Sequence, residues 1–159
     1  MYDFFFSLSL FINHFASPFM FAFIIAGVTL IAGRFSRRYA LALFISVGLT
    51  FALTEVLKNI FAIPRPMDML AHTTGYRFPS LHAALTSSIV TAFWLFYTES
   101  TQNRRYQIIA SVFAILIIFI VDYSRVFLNV HKPIDVIIGS LLGVGISFYT
   151  ISILRKISR

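Results

Sequence analysis

No cysteine occurs in the chain, which removes disulfides, thiol nucleophiles and thiolate metal sites from consideration. Charge is scarce as well. Only 12% of the 159 residues are charged, against 58% hydrophobic and 19 phenylalanines, a composition too apolar for one soluble core of this size. Acids are the scarcest of all: Asp3, Glu55, Asp68, Glu99, Asp122 and Asp135 form no oxygen-rich cluster of the kind that Mg²⁺ sites use. No positively charged segment with a small-residue cleavage site precedes the first apolar run, so no cleaved signal peptide is expected. There is no internal repeat, no low-complexity tract and no linker long enough to separate domains, and residues 1–159 read as one domain.

What is present is a series of apolar runs. They predict an all-α fold, a polytopic membrane helix bundle with five spanning helices near residues 16–33, 39–61, 80–98, 107–127 and 134–154. Each has about the 20 apolar residues needed to cross ~30 Å of hydrocarbon. Residues 2–13 are apolar too, but a helix of that length reaches only about 18 Å. They are expected to lie in the interface as a short helix, with a short sixth crossing as the alternative. The net charge of +7 would suit nucleic acid in a soluble protein. Here the basic residues lie in short groups between apolar runs, as membrane flanks do, so the membrane is the expected partner and nucleic acid is not.

Orientation follows from counting Lys and Arg on the two sides of the alternating spans. Arg34, Arg37, Arg38, Arg104, Arg105, Arg155, Lys156 and Arg159 fall on one side, and Lys58, Arg65, Arg77, Arg125 and Lys132 on the other. The side with eight is read as cytoplasmic. The second side holds three blocks of polar residues and the one sizeable loop, from about Ala62 to Phe78, a candidate lid.

In the first block Lys58 and Arg65 are seven apart, and Pro64 and Pro66 should end the helix near Ala62 and fix Arg65 in a rigid turn. Together the two cations would suit a tetrahedral oxyanion; the plainer alternative is that both snorkel to the interface. In the second block, Pro79-Ser80-Leu81-His82, Pro and Ser are helix-start residues, and unpaired backbone N–H groups there bind anions. A simple cap and an interfacial His are the alternative. In the third, Asp122 precedes Arg125 by three residues, a spacing that could hold the guanidinium, and His131 precedes Asp135 by four. If the helix begins early enough, the carboxylate meets the imidazole, fixing its tautomer and leaving one nitrogen as a nucleophile. A structural His-Asp pair is the alternative.

In order and internal spacing, Lys58-(six residues)-Arg65-Pro66, Pro79-Ser80-Leu81-His82 and Ser124-Arg125-(five residues)-His131-(three residues)-Asp135 resemble the signature of the type-2 phosphatidic acid phosphatase superfamily, shared with vanadium haloperoxidases and acid phosphatases. The resemblance covers about residues 55–140 and implies a phosphatase with no metal and no cofactor. It implies that His131 attacks phosphorus while Asp135 orients it. His82 then protonates the leaving oxygen, and Lys58, Arg65, Ser80 and Arg125 hold the phosphate oxygens. The family usually has Gly, which lets the backbone approach phosphate closely, where this chain has Leu81. Leu81 either packs against lipid or protein, or shapes the approach of an acyl or prenyl chain.

A site at the outer ends of membrane helices, with no large soluble domain above it, suits a phosphate carried on a lipid whose tails stay in the bilayer. Candidates are undecaprenyl pyrophosphate, lipid A phosphate, phosphatidic acid and phosphatidylglycerophosphate. The small outer loop mildly favours a compact head such as a pyrophosphate. The competing functions are a phosphotransferase that uses the lipid phosphate as donor and a non-catalytic lipid-phosphate binder or transporter. The expected location is the bacterial cytoplasmic membrane, with the site facing the periplasm or exterior and no obligate protein partner.

Overall fold

A computed structural model of the chain describes residues 2–15 and 37–157. Among the described residues the fold is entirely helical: α1 (Tyr2–Phe15), α2 (Arg37–Phe61), α3 (Leu81–Ser100), α4 (Arg104–Phe127) and α5 (Pro133–Ile157). The expected span 16–33 lies outside the described residues. The other four correspond to α2 through α5, each long and apolar enough to cross a membrane.

Local chemistry sets the ends of these helices. Past Phe61 the chain turns at Ala62, which takes a left-handed φ of 47° and donates its N–H to the Lys58 carbonyl before Pro64 forbids further helix. Ser80 caps α3, its hydroxyl accepting from the Ala83 N–H, and Asn103 caps α4 by accepting from Arg105. Pro133 occupies the first position of α5, and Asp135 in its first turn reaches back to accept the Lys132 N–H at 2.8 Å.

Small residues bring α3 and α5 together. A side chain at Gly139 would stand 2.5 Å from the Ser80 carbonyl oxygen, and one at Gly143 would collide with the Ala84 carbonyl. One turn further on, the Ser147 hydroxyl donates to the Ser88 carbonyl at 2.9 Å. The register advances in the same direction on both helices, so they run parallel and their N-termini meet at one end of the bundle. Close backbone approach through glycine every fourth residue is the usual solution where lipid gives no hydrophobic drive for association.

Around this pair, Leu43, Val47, Leu85, Leu95 and Ile151 form the apolar core. At the end opposite the loop, Glu99 ties α2, α3 and α5 by accepting from Tyr39 and pairing with Arg155. By contrast α4 shows most of its apolar surface, including Phe113, Ile115 and Phe119, as a lipid-facing helix does.

Candidate active site

Because α3 and α5 run parallel and α2 and α4 end where they begin, all three polar blocks reach one end of the bundle. There the 62–80 loop, α1 and the ends of α2 and α3 enclose a cavity of about 550 Å³, within the range of small-ligand sites. Lys58, Arg65, His82, Leu81, Tyr76 and Asn13 are among its lining residues.

The loop's carbonyls hold the first-block cations in place. Lys58 Nζ donates to the Tyr76 carbonyl at 3.2 Å, while Arg65 Nε donates to Gly75 at 3.0 Å and its Nη1 to Val130 at 3.0 Å. Gly75 sits at φ 76°, the left-handed conformation that lets these carbonyls turn inward. Burial lowers the pKa of the Arg65 guanidinium, with Asp135 and Glu55 opposing. The loop therefore forms a wall of the cavity and orients its cations.

His131 is held through the backbone. After α4, Leu128 and a left-handed Asn129 (φ 52°) turn the chain so that the Val130 and His131 N–H groups both donate to the Arg125 carbonyl at 3.3 Å. This return explains the five-residue gap between Arg125 and His131. The imidazole is 2% exposed. Its Nε2 lies 3.4 Å from Arg65 Nη1, and because a guanidinium only donates, Nε2 is the unprotonated nitrogen. The ring N–H is thus on Nδ1, facing Asp135 Oδ2 at 3.7 Å, an electrostatic contact longer than a hydrogen bond. Burial pushes His131 down to about 4; the Asp135 carboxylate opposes this, and Arg65, Arg125 and Lys58 add to it.

Asp135 has a stronger partner than His131. Arg77 Nη1 donates to both its carboxylate oxygens, at 2.6 and 2.5 Å, and the Asp135 side chain is fully buried. In the sequence Arg77 counted only as a loop cation. No motif spacing marks it, although its place two residues before Pro79 carries it to the start of α3.

The expected Asp122–Arg125 pair does not form. Asp122 accepts from Ser140 on α5 at 2.8 Å, whereas Arg125 points into the site and donates through Nη1 to Asn13 on α1 at 2.9 Å. Spacing of three places two side chains near each other on a helix, but each here finds a better partner on a different neighbouring helix. Asn13 had no signal in sequence beyond being a polar residue in an apolar helix.

Ser80 is fully buried, its hydroxyl accepting from Ala83 and its backbone N–H donating to the Asp135 carbonyl at 2.9 Å. That bond joins the starts of α3 and α5 directly. Leu81 lines the cavity and also packs against the core, so it has both the positions expected for it. His82 lies within electrostatic range of Arg125, His131, Lys58 and Arg65. Among the described residues no three His, Asp or Glu side chains converge as metal ligands do. The arrangement is a half-open, net cationic cavity beside a buried imidazole with its free nitrogen turned toward a guanidinium. Such a site suits a tetrahedral oxyanion.

Comparison with known proteins agrees with this fold. The PAP2 superfamily model matches residues 39–159. An undecaprenyl-diphosphatase of Sulfolobus acidocaldarius is 34% identical over 125 residues, which is 74% of this chain and 56% of that protein; the chain thus spans little more than half of that relative's length. Among solved structures, a transmembrane PAP2-type phosphatidylglycerolphosphate phosphatase from Bacillus subtilis has a TM-score of 0.83 at 24% identity, covering 97% of this chain and 78% of that one. LpxE from Aquifex aeolicus has a TM-score of 0.69 at 23% identity, covering 91% and 86%.

Proposed function

The chain belongs to the PAP2 superfamily, and on that premise we propose that it is a membrane lipid phosphatase that releases the terminal phosphate of a lipid phosphate or diphosphate through a phosphohistidine. The four long apolar helices among the described residues make it an integral membrane protein. The observation that carries the reading is the orientation of His131: Nδ1 faces Asp135 and Nε2 faces the Arg65 guanidinium, a pure donor, which makes Nε2 the nitrogen with the free lone pair.

In this mechanism the Nε2 lone pair attacks phosphorus and the bond from phosphorus to the leaving oxygen breaks. His82 supplies a proton to that oxygen. Water then attacks the phosphohistidine, His82 takes its proton, and His131 leaves as neutral imidazole. Lys58, Arg65 and Arg125 hold the non-bridging oxygens throughout, helped by backbone N–H groups at the Ser80-capped start of α3. Asp135 stabilises the positive charge that His131 acquires. No step requires a metal.

The diphosphate of a polyprenyl lipid leads the candidates. The activity named for the Sulfolobus acidocaldarius relative supports it, as does a cavity roomy enough for a second phosphate. The majority of basic residues on the opposite side supports a site open to the periplasm or exterior. On intact cells an impermeant thiol reagent should then label Thr73→Cys and not Gln102→Cys, and the reverse pattern would invert the orientation.

The experiment for the activity is phosphate release by purified protein in detergent, with EDTA, from undecaprenyl diphosphate, lipid A, phosphatidic acid and phosphatidylglycerophosphate. Release undiminished by EDTA and fastest on the diphosphate is expected. No release from any of the four, or loss of release on chelation, contradicts the reading. Transfer of phosphate to an added lipid acceptor in place of water would mark a phosphotransferase.

A further inference from the structure

Arg125 is fully buried, yet only one of its guanidinium nitrogens has a protein partner: Nη1 donates to Asn13 Oδ1, while Nε and Nη2 have none among the described residues. These two nitrogens form the side-on edge of the fork, the edge that meets two oxygens of one phosphate. Asn13 comes from α1, outside the residues that the family model matches. It also lines the cavity.

The placement of α1 is specific. Phe6, Ser9 and Asn13 are spaced three and four residues apart, one face of a helix. Phe6 packs on the Ala71, Leu128 and Val130 cluster beneath the loop, Ser9 is 3% exposed, and Phe5 meets Tyr123 of α4 edge to face. Asn13 therefore reaches Arg125 from a helix anchored at several other points.

We infer that Asn13 is a positioning residue for phosphate recognition, fixing the Arg125 fork so that its side-on edge faces the substrate, and that α1 is thereby part of the phosphate site. This rests on the phosphatase reading of that site. An amide suits the task because it is a neutral acceptor: it orients the guanidinium without cancelling the charge that phosphate needs. A carboxylate of the same shape would hold Arg125 more tightly and compete with the phosphate for it.

The test compares wild type with Asn13→Ala and Asn13→Asp, purified in detergent, by inhibition with inorganic phosphate, by KM and kcat on one lipid phosphate, and by thermal melting. Asn13→Ala should weaken phosphate inhibition and raise KM several-fold with a smaller effect on kcat. Asn13→Asp should melt at or above the wild-type temperature and yet weaken phosphate inhibition by about tenfold or more, which is roughly 1.4 kcal/mol. A purely structural Asn13 shares the retained stability of the Asp variant but demands that its phosphate affinity be retained as well. That result, or unchanged inhibition in both variants, overturns the inference while leaving the phosphatase reading intact. A wild-type protein that neither binds phosphate nor releases it removes the reading itself.

Discussion

Arg77 and Asp135 lie 58 positions apart and meet in a buried ion pair that ties the loop to the start of α5. The pair restrains the proposed nucleophile, since a carboxylate already accepting from Arg77 and from the Lys132 N–H pulls less strongly on the His131 ring. In Arg77→Gln the carboxylate keeps the Lys132 N–H but, without the guanidinium, acts more strongly on the imidazole. Arg65, Arg125, Lys58 and His82 still face the ring and keep it from becoming strongly basic. His131 must be neutral to attack, so activity is lost as pH falls through its pKa, near 4 in the wild type. The acid limb of the kcat/KM profile should therefore move to higher pH in Arg77→Gln, with a loss of about tenfold at pH 7 from poorer orientation of Asp135. Measuring both proteins on one substrate cancels the substrate's own ionisation. An unmoved limb and an unchanged rate would show that Arg77 only braces the loop. The sequence made Lys58, Arg65, Ser80, His82, Arg125, His131 and Asp135 candidates because ordered blocks with fixed spacing carry them. Arg77 and Asn13 were not legible, because their partners are set by how the loop and α1 fold back, over 58 and 112 positions. Asp122 was misassigned for a related reason: helical spacing names neighbours on one helix and is silent about competition from the next.

At the scale of elements, the contact between α3 and α5 sets the distance between the second and third blocks. Gly143 allows that contact, since any side chain there meets the Ala84 carbonyl and crowds the Ser88 nitrogen. Gly143→Ala should destabilise the protein by about 1–3 kcal/mol through overpacking, and lower kcat/KM because Ser80 and His82 shift relative to His131. Gly145 is the control, with nothing near its missing side chain among the described residues. Gly145→Ala should be neutral or raise stability by about 0.5–1 kcal/mol through helix propensity. Thermal melting in detergent checks both, and equal behaviour of the two variants would deny that this contact is tight. Helices α2 to α5 were legible to within a few residues, because Pro64, Ser80, Asn103 and Pro133 bracket long apolar runs. The glycine pair was present in the sequence as a four-residue spacing. Which helix it met depended on the parallel register, and the spacing of glycines on α5 alone does not contain that.

For the whole molecule, the fold concentrates chemistry at one end. Lys58, Arg65 and His82 line one cavity, with Arg125 and His131 within electrostatic range of His82, whereas the opposite end carries the Glu99 network and the lipid-facing length of α4 carries almost nothing polar. Burying so many cations beside few acids is costly unless an anion joins them, and a phosphate on a membrane lipid would meet that need. This end is proposed to work by covalent catalysis at His131. Rapid acid-free quenching of turnover on a ³²P-labelled lipid diphosphate, followed by peptide mass spectrometry under alkaline conditions that preserve phosphohistidine, tests it most directly. Expected is a phosphoryl group on His131 that forms and decays at the rate of turnover and is absent from His131→Ala, whose rate should fall by orders of magnitude. Label on any other side chain, or full turnover by His131→Ala, would contradict it.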